Sequence, residues 1–203
     1  FLPEQPVVVA SAMGGLTNVL LDTAQKALDR KTGDVNNAVV SIRERHVMIA
    51  NALVKDHPRR ATLIKQQQEL IEELANLYHG VSLLRELSPR SLDAIAAFGE
   101  LLSCLQIAAI LEDCGIPSRF IDARTIVRTD DNYGEAAVDF TGTDPAIAAA
   151  VLPLVEQKIV PVVTGFVAST ADGITTTIGR SGSDYTGSIV GAAVGSREIW
   201  IWT

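Results

Sequence analysis

Thr175-Thr-Thr-Ile-Gly179-Arg180-Ser-Gly182-Ser183-Asp184-Tyr-Thr-Gly187 carries, in that order, a polar strand, a glycine loop and the start of a helix. Thr175 to Ile178 has the β-branched density of a strand. Gly179 and Gly182 admit unusual backbone angles, and Ser183 or Asp184 can cap the helix, whose body is the Ala- and Gly-rich run to Gly195. Such a loop gathers unpaired N–H groups and the positive end of a helix dipole at one point, where an anion can bind. Arg180 and Asp184 flank that point, and the guanidinium fork of Arg180 matches the two oxygens of a carboxylate or phosphate. Asp184 alone opposes an anion; it makes sense if an ammonium group, a lysine or Mg²⁺ shares the site. An ordinary capped strand-to-helix turn explains the same residues, because Gly-x-x-Gly is common.

The same order recurs near the amino terminus. Pro6 to Ser11 is a short β-rich run that meets Met13-Gly14-Gly15, and Leu16 to Arg30 has helical spacing. A buried parallel strand with a ligand loop at its carboxyl end fits this pattern, since ligands of open α/β sheets collect there. Thr17 and Asn18 can face that loop or cap the helix.

Composition bounds what the chain can be. Its 203 residues suffice for one full core or a large domain cut short, and 47% apolar with 20% charged residues is globular composition. The apolar runs are shorter than a membrane span, and Phe1-Leu-Pro3 lacks the basic start of a secretory signal. A net charge of −7 argues against nucleic acid as the main partner but leaves room for a nucleotide at a local positive site. Cys104 and Cys114 stand ten residues apart in a helical stretch. That is about 15 Å by helical rise, too far for a disulfide, so both are expected to be small core residues.

From Asp34 to Leu87 the pattern is helical throughout. Val35, Val39, Ile42, His46, Ile49 and Leu53 recur at alternating steps of four and three, as do Leu63, Gln67, Leu70, Leu74, Leu77, Val81 and Leu84. Two amphipathic helices joined near Lys55 to Arg60, with Pro58 in the turn, predict an antiparallel hairpin; a dimeric coiled coil is the alternative. His46 falls on the apolar stripe as a packed histidine. Ser88-Pro89 opens another helix, and after Phe98-Gly-Glu100 the run from Leu101 to Cys114 is apolar on almost every side, the mark of a covered central helix. Glu100 is unusual at the mouth of such an element. It is either a first-turn acid favoured by the dipole or a fixed negative group facing a substrate ammonium.

Ser118 to Ile121 reads as a strand, Asp130-Asp-Asn132 as a solvated turn, and Asp144-Pro145 as the opening of a helix to about Gln157. Ile159 to Thr164 is a buried strand, residues 167 to 178 a hairpin turning near Asp172-Gly173, and Glu198 to Trp202 one more strand. Alternating strands and helices predict an α/β fold, a three-layer αβα sandwich with a mainly parallel sheet, plus the helical hairpin at about 34–87. A chain that stops on an apolar strand is expected to be a piece of a longer protein.

Ser11-Ala-Met-Gly-Gly-Leu-Thr17-Asn18, Phe98-Gly-Glu100 and Thr176-Thr-Ile-Gly-Arg180-Ser-Gly-Ser183-Asp184-Tyr, together with Val162-Val-Thr-Gly-Phe166 and Ile199-Trp-Ile-Trp-Thr203, resemble aspartate kinases of the amino-acid kinase family. The resemblance covers most of residues 1–203 outside the hairpin. It implies ATP-dependent phosphorylation of the β-carboxylate of L-aspartate, with Mg²⁺, in a cytoplasmic enzyme that is a homo-oligomer when full length and touches neither nucleic acid nor membrane. Carried over, Arg180 holds the substrate α-carboxylate and Glu100 its ammonium. Ser11, Ala12 and Thr17 line the amino-acid pocket, Ser183 and Asp184 lie near the reacting groups with Asp184 catalytic, and Gly179, Gly182 and Thr203 serve the nucleotide. The family's opening Lys-Phe-Gly-Gly-Thr-Ser, its nucleotide loop after the final Trp-Thr and its regulatory ACT domains have no counterpart here, so the domain is expected to be incomplete at both ends and inactive alone. The Ala-Ser-Thr after Phe166 resembles kinase halves fused to homoserine dehydrogenase. Another member of the family, or a non-catalytic amino-acid-binding module, are the other readings.

Overall fold

A computed structural model describes residues 5–202 of the chain. Its centre is a parallel sheet of three strands, β1 (Val8–Ala10), β2 (Ser118–Ile121) and β3 (Val160–Thr164), in the order β1-β3-β2. Val8 and Phe120 both stand opposite Val162. Side chains alternate across a strand, so these three share one face. They pack there around Cys104, Ala108 and Leu111 of α5 (Phe98–Asp113). The other face meets α6 (Phe140–Glu156) at β3 and α7 (Gly182–Ala193) at β1. This is the expected three-layer sandwich. A separate antiparallel pair, β4 (Val167–Ser169) and β5 (Thr175–Thr177), forms the predicted hairpin.

Behind α5 lie α1 (Leu16–Leu28), α2 (Thr32–Leu53) and α3 (His57–Leu84), the last two forming the antiparallel hairpin. Asp56 caps α3 by accepting from Arg59 N at 2.8 Å, and Pro58 sits in its first turn, where a missing N–H costs nothing. The inward face of α3 is Leu63, Gln67, Ile71, Leu74, Tyr78 and Val81, which keeps Leu63, Gln67, Leu74 and Val81 of the predicted stripe and puts Ile71 and Tyr78 in place of Leu70 and Leu77. Leu77 and Leu84 point outward, while Tyr78 is sealed in with its hydroxyl donating to Leu20 O at 3.0 Å. On α2, likewise, Ala50 is buried and Leu53 half exposed. His46 is packed as expected, its Nδ1 against Ile42 O at 2.8 Å.

Ser88 caps α4 (Pro89–Ala96) through Ser91 N at 3.2 Å. Ala97 keeps right-handed helical angles, so α4 runs almost without a break into α5. Leu101 and Leu102 are fully buried on α5, each worth about 1.5–3 kcal/mol relative to exposure. The stretch Pro89–Asp113 is long and apolar enough to cross a membrane, but 67% of its apolar window is buried inside the protein, so its hydrophobicity serves the core.

Three local expectations are corrected. Helix α6 begins at Phe140 because Asp139 accepts from Thr141 N at 3.0 Å; Asp144-Pro145 falls inside it. Cys114 is exposed, since it lies just past the last turn of α5, and only Cys104 joins the core. Residues 198–202 form no strand; Trp200 and Trp202 are 50% and 85% exposed, because an apolar alternation becomes a strand only with a neighbour to pair with.

Candidate functional site

Three chain segments leave their strands at one edge of the sheet region. β1 passes into the loop 11–15 and then α1, β3 passes into Gly165-Phe166, and β5 passes through Ile178 to Ser181 into α7. They are tied to one another: Gly165 N donates to Ala10 O at 2.9 Å, Ile178 N to Phe166 O at 3.0 Å, and Phe166 N to the buried Thr186 hydroxyl at 3.0 Å.

The space between them is a cleft with two lobes. The larger, about 310 Å³, is lined by Ser11, Thr17, Glu100, Gly179, Arg180, Ser183, Asp184 and their neighbours Phe166, Ser181 and Gly182. The smaller, about 220 Å³, shares Ser11, Thr17 and Glu100 and adds Ala12 and the glycine turn to Asn18. Every predicted site residue therefore lines one cleft, except Thr203, which lies outside the described residues. Arg180 and Glu100, 80 positions apart in sequence, face the same space of small-ligand size.

Glu100 is 3% exposed. Its Oε1 accepts from Ala12 N at 3.1 Å, whereas Oε2 is buried without a partner. Burial pushes its carboxyl up to about 7, against the opposing pull of the Ala12 amide. Glu100 lies in the first turn of α5, as the dipole reading expects, with α4 leading into it through the helical Ala97. A buried carboxylate oxygen without a donor is costly, and a cation entering the cleft would supply the donor.

Helix α7 starts differently from expectation. Neither Ser183 nor Asp184 caps it; the capping position is Ser181, left-handed at φ 56°, with no side-chain hydrogen bond. Gly182 N donates to Gly179 O at 3.1 Å, so the Ser183 and Asp184 amides are the first-turn donors left to the cleft. Gly179 has φ +81°, as the loop requires. Gly182 has no such angle, and its missing side chain serves packing instead: a Cβ there would come within 2.7 Å of Phe166 Cδ2 and 3.1 Å of its Cα. Arg180 and Asp184 are exposed at the rim of the larger lobe.

Sequence reasoning missed Asp93. It is buried on α4 and accepts from Thr177 N and Gly134 N, both at 2.9 Å, and from the Thr177 hydroxyl at 2.8 Å. The clue was an acid on the packed side of a short apolar helix, but its partners are 41 and 84 residues away.

Among the described residues no three His, Cys, Asp or Glu side chains gather as a metal cage. Asp184, a single exposed carboxylate in the cleft, nonetheless suits Mg²⁺, which keeps several waters and takes one or two carboxylates together with nucleotide phosphates.

A three-layer α/β domain whose cleft at the strand ends is lined by a guanidinium and a buried carboxylate is suited to a small molecule carrying both charges. Residues 3–203 match the amino acid kinase family, and the chain belongs to it. It is similar to Aspartokinase 1, chloroplastic, of Arabidopsis thaliana, with 34% identity over all of this chain and 35% of that protein. It is also similar to Lysine-sensitive aspartokinase 3 of Escherichia coli, 31% identical over 97% of this chain and 42% of the relative. Crystal structures of E. coli aspartokinase III superpose with TM-scores of 0.87 in complex with lysine and aspartate and 0.88 in complex with aspartate and ADP. Each is 29% identical and covers 97% of this chain, which spans 42% of the solved one. The chain therefore spans well under half the length of these relatives.

Proposed function

We propose that the protein to which this domain belongs transfers the γ-phosphate of ATP to the β-carboxylate of L-aspartate, giving 4-phospho-L-aspartate, the first step towards lysine, threonine and methionine. The observation that carries this reading is the unpartnered Oε2 of Glu100 across the cleft from Arg180. A zwitterion answers both at once, its ammonium to Glu100 and its α-carboxylate to Arg180, and leaves the side-chain carboxylate directed at the nucleotide. The aspartate and ADP bound to E. coli aspartokinase III support the same assignment.

The chemistry asks little of the side chains beyond placement. A β-carboxylate has a reference pKa of about 3.9 and is ionised at neutral pH, so it needs no general base. The two anions must be aligned and their repulsion offset. Ser11, Ala12 and Thr17 bound the amino acid. The amide donors of α7 and the left-handed Gly179 turn are suited to phosphate oxygens, with Ser183 and Asp184 beside the reacting groups. Mg²⁺ held by Asp184 and the phosphates would neutralise charge that Arg180 alone does not. The packing role of Gly182 limits its part in nucleotide binding to its backbone.

Acyl-phosphate trapping with hydroxylamine in the full-length protein tests the reaction, and calorimetry with aspartate alone tests the pocket. Binding of aspartate without acyl phosphate in the full-length protein would favour a non-catalytic module. Absence of both would remove the assignment.

A further inference from the structure

We propose that Asp93 is a positioning residue that sets the Arg180 loop against Glu100 and so fixes the span of the amino-acid site; the inference rests on the reading of the cleft given above. Asp93 is 4% exposed, and both its oxygens are engaged. It grips the last residue of β5 twice, through Thr177 N and the Thr177 hydroxyl, three residues before Arg180. Its third donor, Gly134 N, belongs to the turn whose Gly134 and Glu135 atoms lie 3.5–3.7 Å from where a side chain on Gly179 would begin. One carboxylate therefore fixes both the strand that delivers the arginine loop and the turn that covers it.

The other end of this link is the helix. Asp93 precedes Glu100 by seven residues on α4–α5, about 10.5 Å along an axis that continues through Ala97. Among the described residues Arg180 has neither a hydrogen bond nor an ion pair, so its place follows from its backbone, which Asp93 anchors at Thr177 three residues earlier, together with the Ile178 N bond to Phe166 O. Charge-assisted bonds from a buried carboxylate are short and directional, which suits a strut between two binding groups. A misplacement of about 1 Å at such a site can cost about a hundredfold in rate.

The test uses the full-length protein with aspartate and ATP. Asp93→Asn is expected to raise the KM for aspartate about ten- to a hundredfold, and to add less than about twofold to that KM when Arg180 is already Ala. Thr177→Val, which removes only the hydroxyl donor, guards against a misfolded Asp93 variant. It should raise the aspartate KM about three- to tenfold and likewise lose its effect in the Arg180→Ala background. Losses in aspartate KM that multiply with Arg180→Ala overturn the positioning role while leaving the proposed reaction intact. A wild-type protein that makes no acyl phosphate overturns the reaction and this inference together.

Discussion

The backbone N–H of Ala12 donates to Oε1 of Glu100 at 3.1 Å, joining positions 88 apart and leaving the second oxygen buried and bare. Burial penalises the charge and pushes the carboxyl up from its ordinary 4.5 to about 7. Folded protein thus holds this proton where unfolded chain has lost it. The resulting stability is fully present below pH about 4.5 and is lost as pH rises through about 7. The total is about 3 kcal/mol at about 1.36 kcal/mol per pH unit. Glu100→Gln should flatten that part of the stability profile in urea titrations from pH 4.5 to 8. An ammonium ligand needs the ionised form, so aspartate affinity should fall about tenfold per pH unit below 7 in the wild type and not in the variant, as read by calorimetry.

Arg180→Ala and Glu100→Ala should each reduce kcat/KM for aspartate by about one and a half to three orders of magnitude, or about 2 to 4 kcal/mol. Arg180 is exposed, so its loss should leave the thermal midpoint unchanged. Wild-type turnover in both variants would falsify the pairing of the two residues across one substrate.

Gly165 and Gly187 should respond oppositely to alanine. A Cβ on Gly165 would stand 2.9 Å from Ser183 Cα, which cannot move without shifting α7, so about 1–3 kcal/mol of stability and much of the activity should be lost. Gly187 lies within α7 with open space around it, and alanine there should stabilise by about 0.5–1 kcal/mol. Urea denaturation of the two variants measures both.

Between the hairpin and α5, Gln67 Nε2 donates to Gln106 Oε1 at 3.2 Å, and each amide keeps one buried unpaired atom. Gln67→Leu alone should cost about 1–3 kcal/mol because Gln106 is then wholly orphaned. Replacing both by leucine should be nearly neutral or stabilising. A double-mutant cycle in denaturant checks the sign.

His46 shares the burial of that region, and burial lowers its pKa below the usual 6.5. Unfolded chain then takes up the proton first, so the stability it contributes is present above pH about 6.5 and lost as the pH falls. His46→Leu should make the protein less sensitive to acid between pH 6.5 and 4.5, measured as thermal midpoint against pH.

Elements carried by short-range rules were legible in the chain. The strands at Val8 and Val160, the capped start at Ser88 and the hairpin around Gly173 depend on residues within a few positions of one another. The stripe on α3 was legible in part: Leu63, Gln67, Leu74 and Val81 are buried at the predicted positions, while Ile71 and Tyr78 turn inward in place of Leu70 and Leu77. Steps of three and of four both stay on one helix face, so the neighbouring helices decide which of two adjacent residues is covered. Ser183, Asp184 and Gly182 were each given a local role that packing reassigned, since Ser181 took the left-handed position and Phe166 filled the space above Gly182.

By itself the sequence determined most of the order of strands and helices and the layered class of the fold, because backbone propensity and apolar spacing act over one or two turns; the residues of the cleft came from the family resemblance. Only the tertiary structure decided that Glu100 is desolvated with one oxygen bare, that Asp93 accepts from Thr177 three residues before Arg180, and that residues 198–202 join no strand. Desolvation and hydrogen-bond partnership depend on which distant segments meet, and a partner 84 or 88 positions away leaves no periodic trace in the chain.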